Sequence, residues 1–130
     1  MKLYIAGPMR GHKDFNFPAF DAAAARLRAK GHEVVSPAEM DREAYGSDLK
    51  GIEEVAAKPG ATKEFMSRDL PALLACDGIL MLPGWGNSQG ACTEAFVAAM
   101  CGIPVFDNER LEGTLSIYRL LVIVGEKILS

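Results

Sequence analysis

Gly78-Ile79-Leu80-Met81-Leu82 runs directly into Pro83-Gly84-Trp85-Gly86-Asn87-Ser88-Gln89-Gly90-Ala91-Cys92-Thr93-Glu94, and this junction decides how the chain is read. The apolar run has the length and composition of a buried strand. The glycine-rich polar loop after it opens a helix of small residues, with one carboxylate, Glu94, in its first turn or two. A loop between a buried strand and a helix N-terminus is where open α/β sheets bind anionic ligands. A lone acid six residues after Ser88 reads as a nucleophile beside an oxyanion or phosphate pocket.

The same alternation extends in both directions. Residues 3–6 form a short apolar strand stopped by Gly7-Pro8. Asn16 is placed to cap a helix with Pro18 in its first turn and Phe20, Ala23, Ala24 and Leu27 on one face, ending at Gly31. Glu33-Val34-Val35 is a second strand and Ile103-Pro104-Val105-Phe106 a fourth. Residues 91–101 read as a helix, and residues 115–128 as a final helix, although Val122-Ile123-Val124 also fits a strand. Residues 38–63 are weakly patterned and polar, consistent with one or two short helices of undetermined register. Helical character returns near Glu64 and continues to about Ala75, with Pro71 implying a kink or a fresh start. Strands separated by helices imply parallel pairing with right-handed crossovers. The expected fold is a three-layer α/β domain over residues 1–130. It is flavodoxin-like or Rossmann-like, with a parallel sheet of four to five strands covered by helices on both faces.

Composition narrows the function. Hydrophobic residues make up 49% of the 130 and charged residues 24%, as in ordinary globular proteins. A net charge of −3 argues against a nucleic-acid polymer as partner, since such binding needs a basic surplus. A small anionic ligand held by local donors remains compatible with it. Cys76, Cys92 and Cys101 lack C-x-x-C spacing and read as buried, reduced small hydrophobes, which fits a cytoplasmic setting. No secretion signal is expected at the start of the chain. The apolar segment at residues 115–129 is too short and too charged to span a bilayer, so no membrane association is expected. His12 and His32 have no metal-ligand spacing, and neither a metal nor a cofactor is expected.

Three loops converge on one expected site. In Tyr4-Ile5-Ala6-Gly7-Pro8-Met9-Arg10-Gly11, Gly7 and Gly11 permit close backbone approach, and Arg10 offers donors suited to phosphate. The plainer alternative is a strand-to-loop turn with a surface arginine. Tyr4 is either a core tyrosine or the group that holds a catalytic carboxylate. Asp69 is either an N-cap for a helix starting at Pro71 or a group projecting into the site. Ser88 and the amides around Gly90 fit a phosphate cradle, with helix capping by Ser88 as the alternative. The helix field and nearby donors should keep Glu94 ionised at neutral pH. Trp85 and Phe15 either pack their loops or wall a pocket for a planar base.

These residues together resemble the nucleoside 2-deoxyribosyltransferase superfamily. The resemblance rests on Tyr4-Ile5-Ala6-Gly7-Pro8-Met9-Arg10-Gly11, Arg68-Asp69-Leu70 and Ser88-Gln89-Gly90…Glu94…Ala98…Gly102-Ile103-Pro104, and leaves residues 38–63 uncovered. It is strongest to the deoxynucleoside 5′-monophosphate N-glycosidases and to an uncharacterised phage and bacterial group with the same Ala-Gly-Pro-Met-Arg-Gly and Leu-Pro-Gly-Trp runs. It implies that Glu94 attacks C1′ of a deoxyribose, that Asp69 protonates or orients the leaving base, and that Tyr4 positions Glu94. Transferases of free nucleosides tend to carry an acid where this chain has Ser88. A hydroxyl there removes repulsion against a phosphate dianion and implies a nucleotide substrate. Pro8 departs from the monophosphate hydrolases, which offer another hydroxyl at that place. The resemblance also implies a homodimer with shared active sites, each completed by Leu115-Ser116 of a neighbouring subunit.

Two-carboxylate glycoside chemistry follows from that resemblance. Hydrolysis of a 2′-deoxynucleoside 5′-monophosphate is the leading expectation. Base exchange between deoxynucleosides, sequestration of a nucleotide or NAD-derived ligand without turnover, and glycohydrolysis of NAD are its rivals.

Overall fold

The computed structural model describes residues 1–129, with side chains through residue 127. Four strands form one sheet: β1 (Lys2–Ala6), β2 (Glu33–Val35), β3 (Gly78–Met81) and β4 (Val105–Phe106). Their order is β2-β1-β3-β4 and every pairing is parallel. Tyr4 lies opposite Val35 on one side and Ile79 on the other. The strand order reverses between β1 and β3, and such a switch point opens a crevice at the carboxyl ends of the two strands.

Alternation along the strands sorts the core into two layers. Leu3, Ile5, Leu80 and Leu82 pack with Phe20, Ala24 and Leu27 of α1 (Phe17–Ala29), with contributions from α2 (Pro37–Tyr45) and α3 (Leu49–Ala56). Tyr4, Ala6, Ile79 and Met81 pack on the other face. Their partners are Leu73 of α4 (Ala61–Leu74), Ala91, Ala95 and Ala98 of α5 (Gln89–Met100), and Leu120 of α6 (Ile117–Leu129). This is the three-layer α/β arrangement expected from the pattern, with four strands. Residues 38–63, whose register the sequence left open, supply α2, α3 and the start of α4.

Local chemistry accounts for most boundaries. Gly102 follows α5 at φ +75°, where its N–H reaches Ala99 O at 3.2 Å and the N–H of Ile103 reaches Ala98 O at 2.8 Å. That paired capping turns the chain sharply into β4. Ser36 precedes α2 and Pro37 occupies its first turn.

Three expectations are corrected. Asn16 precedes α1 but makes no side-chain cap; left-handed at φ 60°, it instead donates its amide to Pro8 O at 3.0 Å and ties down the β1 loop. Pro71 neither breaks nor restarts the fourth helix, which runs through it, so Asp69 is a mid-helix residue and not an N-cap. Residues 122–124 lie within α6, as the final-helix reading expected, and the strand alternative is not realised. Cys101 is exposed because it sits at the C-cap of α5, whereas Cys76 is buried and Cys92 half-buried.

Candidate active site

A cavity of about 290 Å³ opens at the β1/β3 switch point. Its walls come from the loop after β1, from α2, α3 and α4, and from the N-terminal turns of α5. Of the residues singled out in the sequence, Gly7, Arg10, Phe15, Asp69, Ser88, Gly90 and Glu94 line it.

Glu94 owes its place to helix periodicity. Ala91, Glu94, Ala95 and Ala98 share the face of α5 that packs on the sheet, and all four are buried. The alanines let the helix lie close, so the carboxylate is held against Tyr4 with only 5% of the residue exposed. Tyr4 is fully buried in the middle of β1 and does not itself line the cavity. Its hydroxyl interacts with Glu94 and lowers the carboxyl's proton affinity. Neither the Tyr4 hydroxyl nor Glu94 Oε2 makes a hydrogen bond of good geometry in the described structure. Two buried polar atoms without such bonds are a costly arrangement for stability alone.

Burial corrects the expectation that Glu94 is ionised at neutral pH. Desolvation pushes its carboxyl up to about 8, the Tyr4 hydroxyl opposes this, Asp69 adds to it and Arg68 offsets it. The helix field contributes little because Glu94 stands a full turn beyond the N-terminal residues, where that field fades. Burial likewise raises the Asp69 carboxyl, although Arg68 pulls against the shift.

Backbone and hydroxyl groups from the β1 loop and the start of α5 also line the cavity. Ser88 caps α5, its Oγ accepting from the Ala91 N–H at 3.2 Å while its residue lines the cavity. The capping alternative for Ser88 is therefore realised. Gly7 is buried at the end of β1, and a Cβ there would come within 2.9 Å of Leu82 Cβ. Only glycine lets the two loops meet so closely. Arg10 reaches across the opening to donate to Thr62 Oγ1 at 3.0 Å, with its guanidinium 5.6 Å from the Phe65 ring centroid.

Three residues lie elsewhere. Trp85 is 8% exposed and belongs to the core beside α5 and α6, because the short 3-10 turn Trp85–Asn87 folds it inward. The packing alternative is therefore the one realised, and Trp85 does not wall the cavity. Gly11 shapes the turn after β1 at φ +80° without lining the cavity. Ser116 lies in a separate groove with Ile103, Pro104 and Leu115, where its hydroxyl accepts from the Arg119 N–H at 3.1 Å.

The family model described as a domain of unknown function (DUF4406) matches residues 1–107. The chain belongs to the DUF4406 family. No curated protein sequence matches it. Among solved structures it is similar to the 2-deoxyribosyltransferase of the psychrotolerant bacterium Bacillus psychrosaccharolyticus, described as a biocatalyst for the synthesis of antiviral and antitumoral nucleosides. The two share 22% identity over 81% of this chain and 69% of that one, with a TM-score of 0.57. The resemblance read from the residues thus holds at the level of fold. The DUF4406 match includes every lining residue of the cavity and ends before Ser116 and α6.

Sequence reasoning gave no role to Asp41, Phe65, Met66 or Arg68, all of which line this DUF4406 cavity. Asp41 is buried on α2 and pairs with Arg68 at 2.7 Å, and Arg68 also contacts Asp69 Oδ1 at 2.8 Å. Phe65 and Met66 add apolar wall from α4. Asp41 falls in the unpatterned stretch and gave no signal. Phe65 and Met66, four and three residues before Asp69, fall on its side of α4 once that helix is read as continuous, whereas Arg68 was quoted beside Asp69 without a role. No described helix is long and apolar enough to cross a membrane.

Proposed function

We propose that this protein cleaves the N-glycosidic bond of 2′-deoxynucleoside 5′-monophosphates through a covalent glycosyl-Glu94 intermediate. The observation that carries the reading is the pair of buried carboxylates, Glu94 and Asp69, lining one cavity beside a helix N-terminus capped by Ser88. The fold shared with a 2-deoxyribosyltransferase supports it.

In this reading the Ser88 hydroxyl, the amides around Gly90 and Arg10 hold the 5′-phosphate, an arrangement that suits an anion at a helix N-terminus. Gly7 and Gly11 shape the loop that lets the phosphate approach. The ionised Glu94 attacks C1′ as the C1′–N bond breaks, and the electron pair leaves with the base. Asp69 delivers or directs the proton that the departing nitrogen takes up. Tyr4 orients the Glu94 carboxylate and favours its charged form. Water then attacks C1′, Glu94 is released as carboxylate, and the water's proton returns through Asp69. Phe15, Phe65 and Met66 supply apolar surface for a planar base.

A second copy of the chain completes the site in this proposal, bringing Ser116 to the phosphate. Ser116 lies outside its own chain's cavity, and the exposed apolar residues Tyr118, Leu121 and Val122 share one face of the adjoining helix.

The test is incubation with deoxy- and ribonucleoside monophosphates, free nucleosides and NAD, following released base by chromatography with and without an acceptor base. Base release from a deoxynucleoside monophosphate, abolished in Glu94→Ala, is expected. Equal turnover by wild type and Glu94→Ala would end the nucleophile assignment. Turnover that requires an acceptor base would establish a transferase instead.

A further inference from the structure

Among the described residues, Asp41 is the one carboxylate of the cavity wall that the reaction above leaves without a task. It sits on α2 with 5% of the residue exposed, although a buried acid is expensive unless it is paired. Its partner is Arg68, whose Nη1 lies 2.7 Å from Asp41 Oδ1 without the alignment of a good hydrogen bond. The same guanidinium contacts Asp69 with two donors, Nε and Nη2, each at 2.8 Å. Both donors fall on one oxygen, Oδ1.

That last detail is unusual for this pair of groups. Left to itself, an arginine fork prefers to meet a carboxylate side-on, one donor to each oxygen. Here Asp41 holds the third nitrogen, and the Phe65 ring lies 5.6 Å from the guanidinium carbon. With Nη1 drawn into the Asp41 ion pair, the fork meets Asp69 at the single oxygen Oδ1. We propose that Asp41 is a positioning residue. Through Arg68 it fixes the Asp69 carboxylate on the cavity wall while keeping Asp69 Oδ2 out of the ion pair and available to the substrate.

The chemical meaning of this proposal rests on the glycosidase reading, in which Asp69 serves the leaving base. The bridge itself does not. Asp41→Asn keeps the shape and removes the charge, so Arg68 should turn toward Asp69. Three outcomes are expected. kcat falls roughly 10- to 100-fold while KM stays within about twofold, as for a misplaced catalytic group. Arg68→Lys causes a similar loss, and the double variant loses no more than either single one. In the free protein, the carboxyl-carbon NMR titration of Asp69 moves to lower pH in Asp41→Asn, because Asp41 raises the Asp69 proton affinity and Arg68 lowers it. The other charged or titratable groups around the cluster are Tyr4 on β1, Arg42 and Tyr45 on α2, Glu64 on α4 through its bond to Tyr45, Glu94 on α5, and Arg10 and His12 in the β1 loop. All are unchanged in the variant.

The NMR arm needs no activity. If wild type releases no base from any nucleotide, the glycosidase reading fails, and the Asp69 titration still decides the bridge. If wild type is active but Asp41→Asn leaves kcat and the Asp69 titration unchanged while lowering Tm, Asp41 is purely structural and this proposal is overturned.

Discussion

The Tyr4 hydroxyl stands against the Glu94 carboxylate and, with a smaller contribution from Arg68, favours the charged form of an acid pushed up to about 8 by burial. In the proposed reaction Glu94 must be ionised to attack, so kcat/KM should rise with pH between about 6.5 and 9 and report a value near that of the free enzyme's Glu94. Tyr4→Phe removes the stabilising hydroxyl and should move this limb to higher pH. Asp69→Asn removes a neighbouring negative charge and should move it lower, whatever it does to the maximal rate. Limbs that coincide in all three proteins would show that a group other than Glu94 controls the profile.

The same shift predicts how stability depends on pH. A glutamate loses its proton near 4.5 when unfolded and at about 8 in this fold. Between those values the native state holds the extra proton, so this group's contribution to stability falls as pH rises from about 4.5 to 8 and is flat above. Glu94→Gln removes the dependence. Denaturant unfolding should find the variant more stable than wild type at pH 9 by on the order of 2–4 kcal/mol, with a smaller difference at pH 5.

Ser88→Ala should act on two properties at once. Loss of the cap to the Ala91 N–H costs about 1 kcal/mol of stability. Loss of a charge-assisted contact to the phosphate should raise KM for a nucleoside monophosphate by roughly tenfold, with kcat little changed. Steady-state kinetics beside a free nucleoside substrate checks the assignment, because a nucleoside lacks the phosphate and its KM should not move.

Gly7→Ala tests the close approach of the two loops. The new methyl would meet Leu82 Cβ at 2.9 Å, and both residues are buried. Overpacking of this kind should cost about 1–3 kcal/mol and disturb the cavity floor. Thermal unfolding measures it. A variant as stable as wild type would mean that the β1 and β3 loops adjust freely.

If a second copy supplies Ser116, the exposed face of α6 forms the contact. Leu121, 55% exposed, and Tyr118, 77% exposed, are the residues to change. Sedimentation should show a dimer for wild type and a monomer for Tyr118→Glu or Leu121→Glu, with base release falling in parallel. An active wild-type monomer would remove the shared site.

Much of the fold was legible because strand and helix signals here are strong and local. Four short runs ended at Gly7, Ser36, Pro83 and Asp107, and the intervening helices were long enough to force parallel crossovers. Glu94 and Ser88 could be found because a strand–loop–helix junction announces its own chemistry. Asp41 could not, since its stretch is polar and aperiodic and its meaning comes only from Arg68, a residue on another helix. Trp85 was ambiguous for a related reason. Whether an indole walls a pocket or fills a core depends on a turn direction that its neighbours in sequence do not specify.

The sequence alone determined the layers, the parallel sheet and the end of the sheet at which polar loops gather. These follow from hydrophobic period and chain connectivity, which are properties of neighbours along the chain. Tertiary structure alone decided the ionisation state of Glu94, the continuity of α4 through Pro71 and the Asp41–Arg68–Asp69 bridge. Desolvation and ion pairing depend on which atoms from distant segments exclude water from one another. Only the folded chain sets those distances.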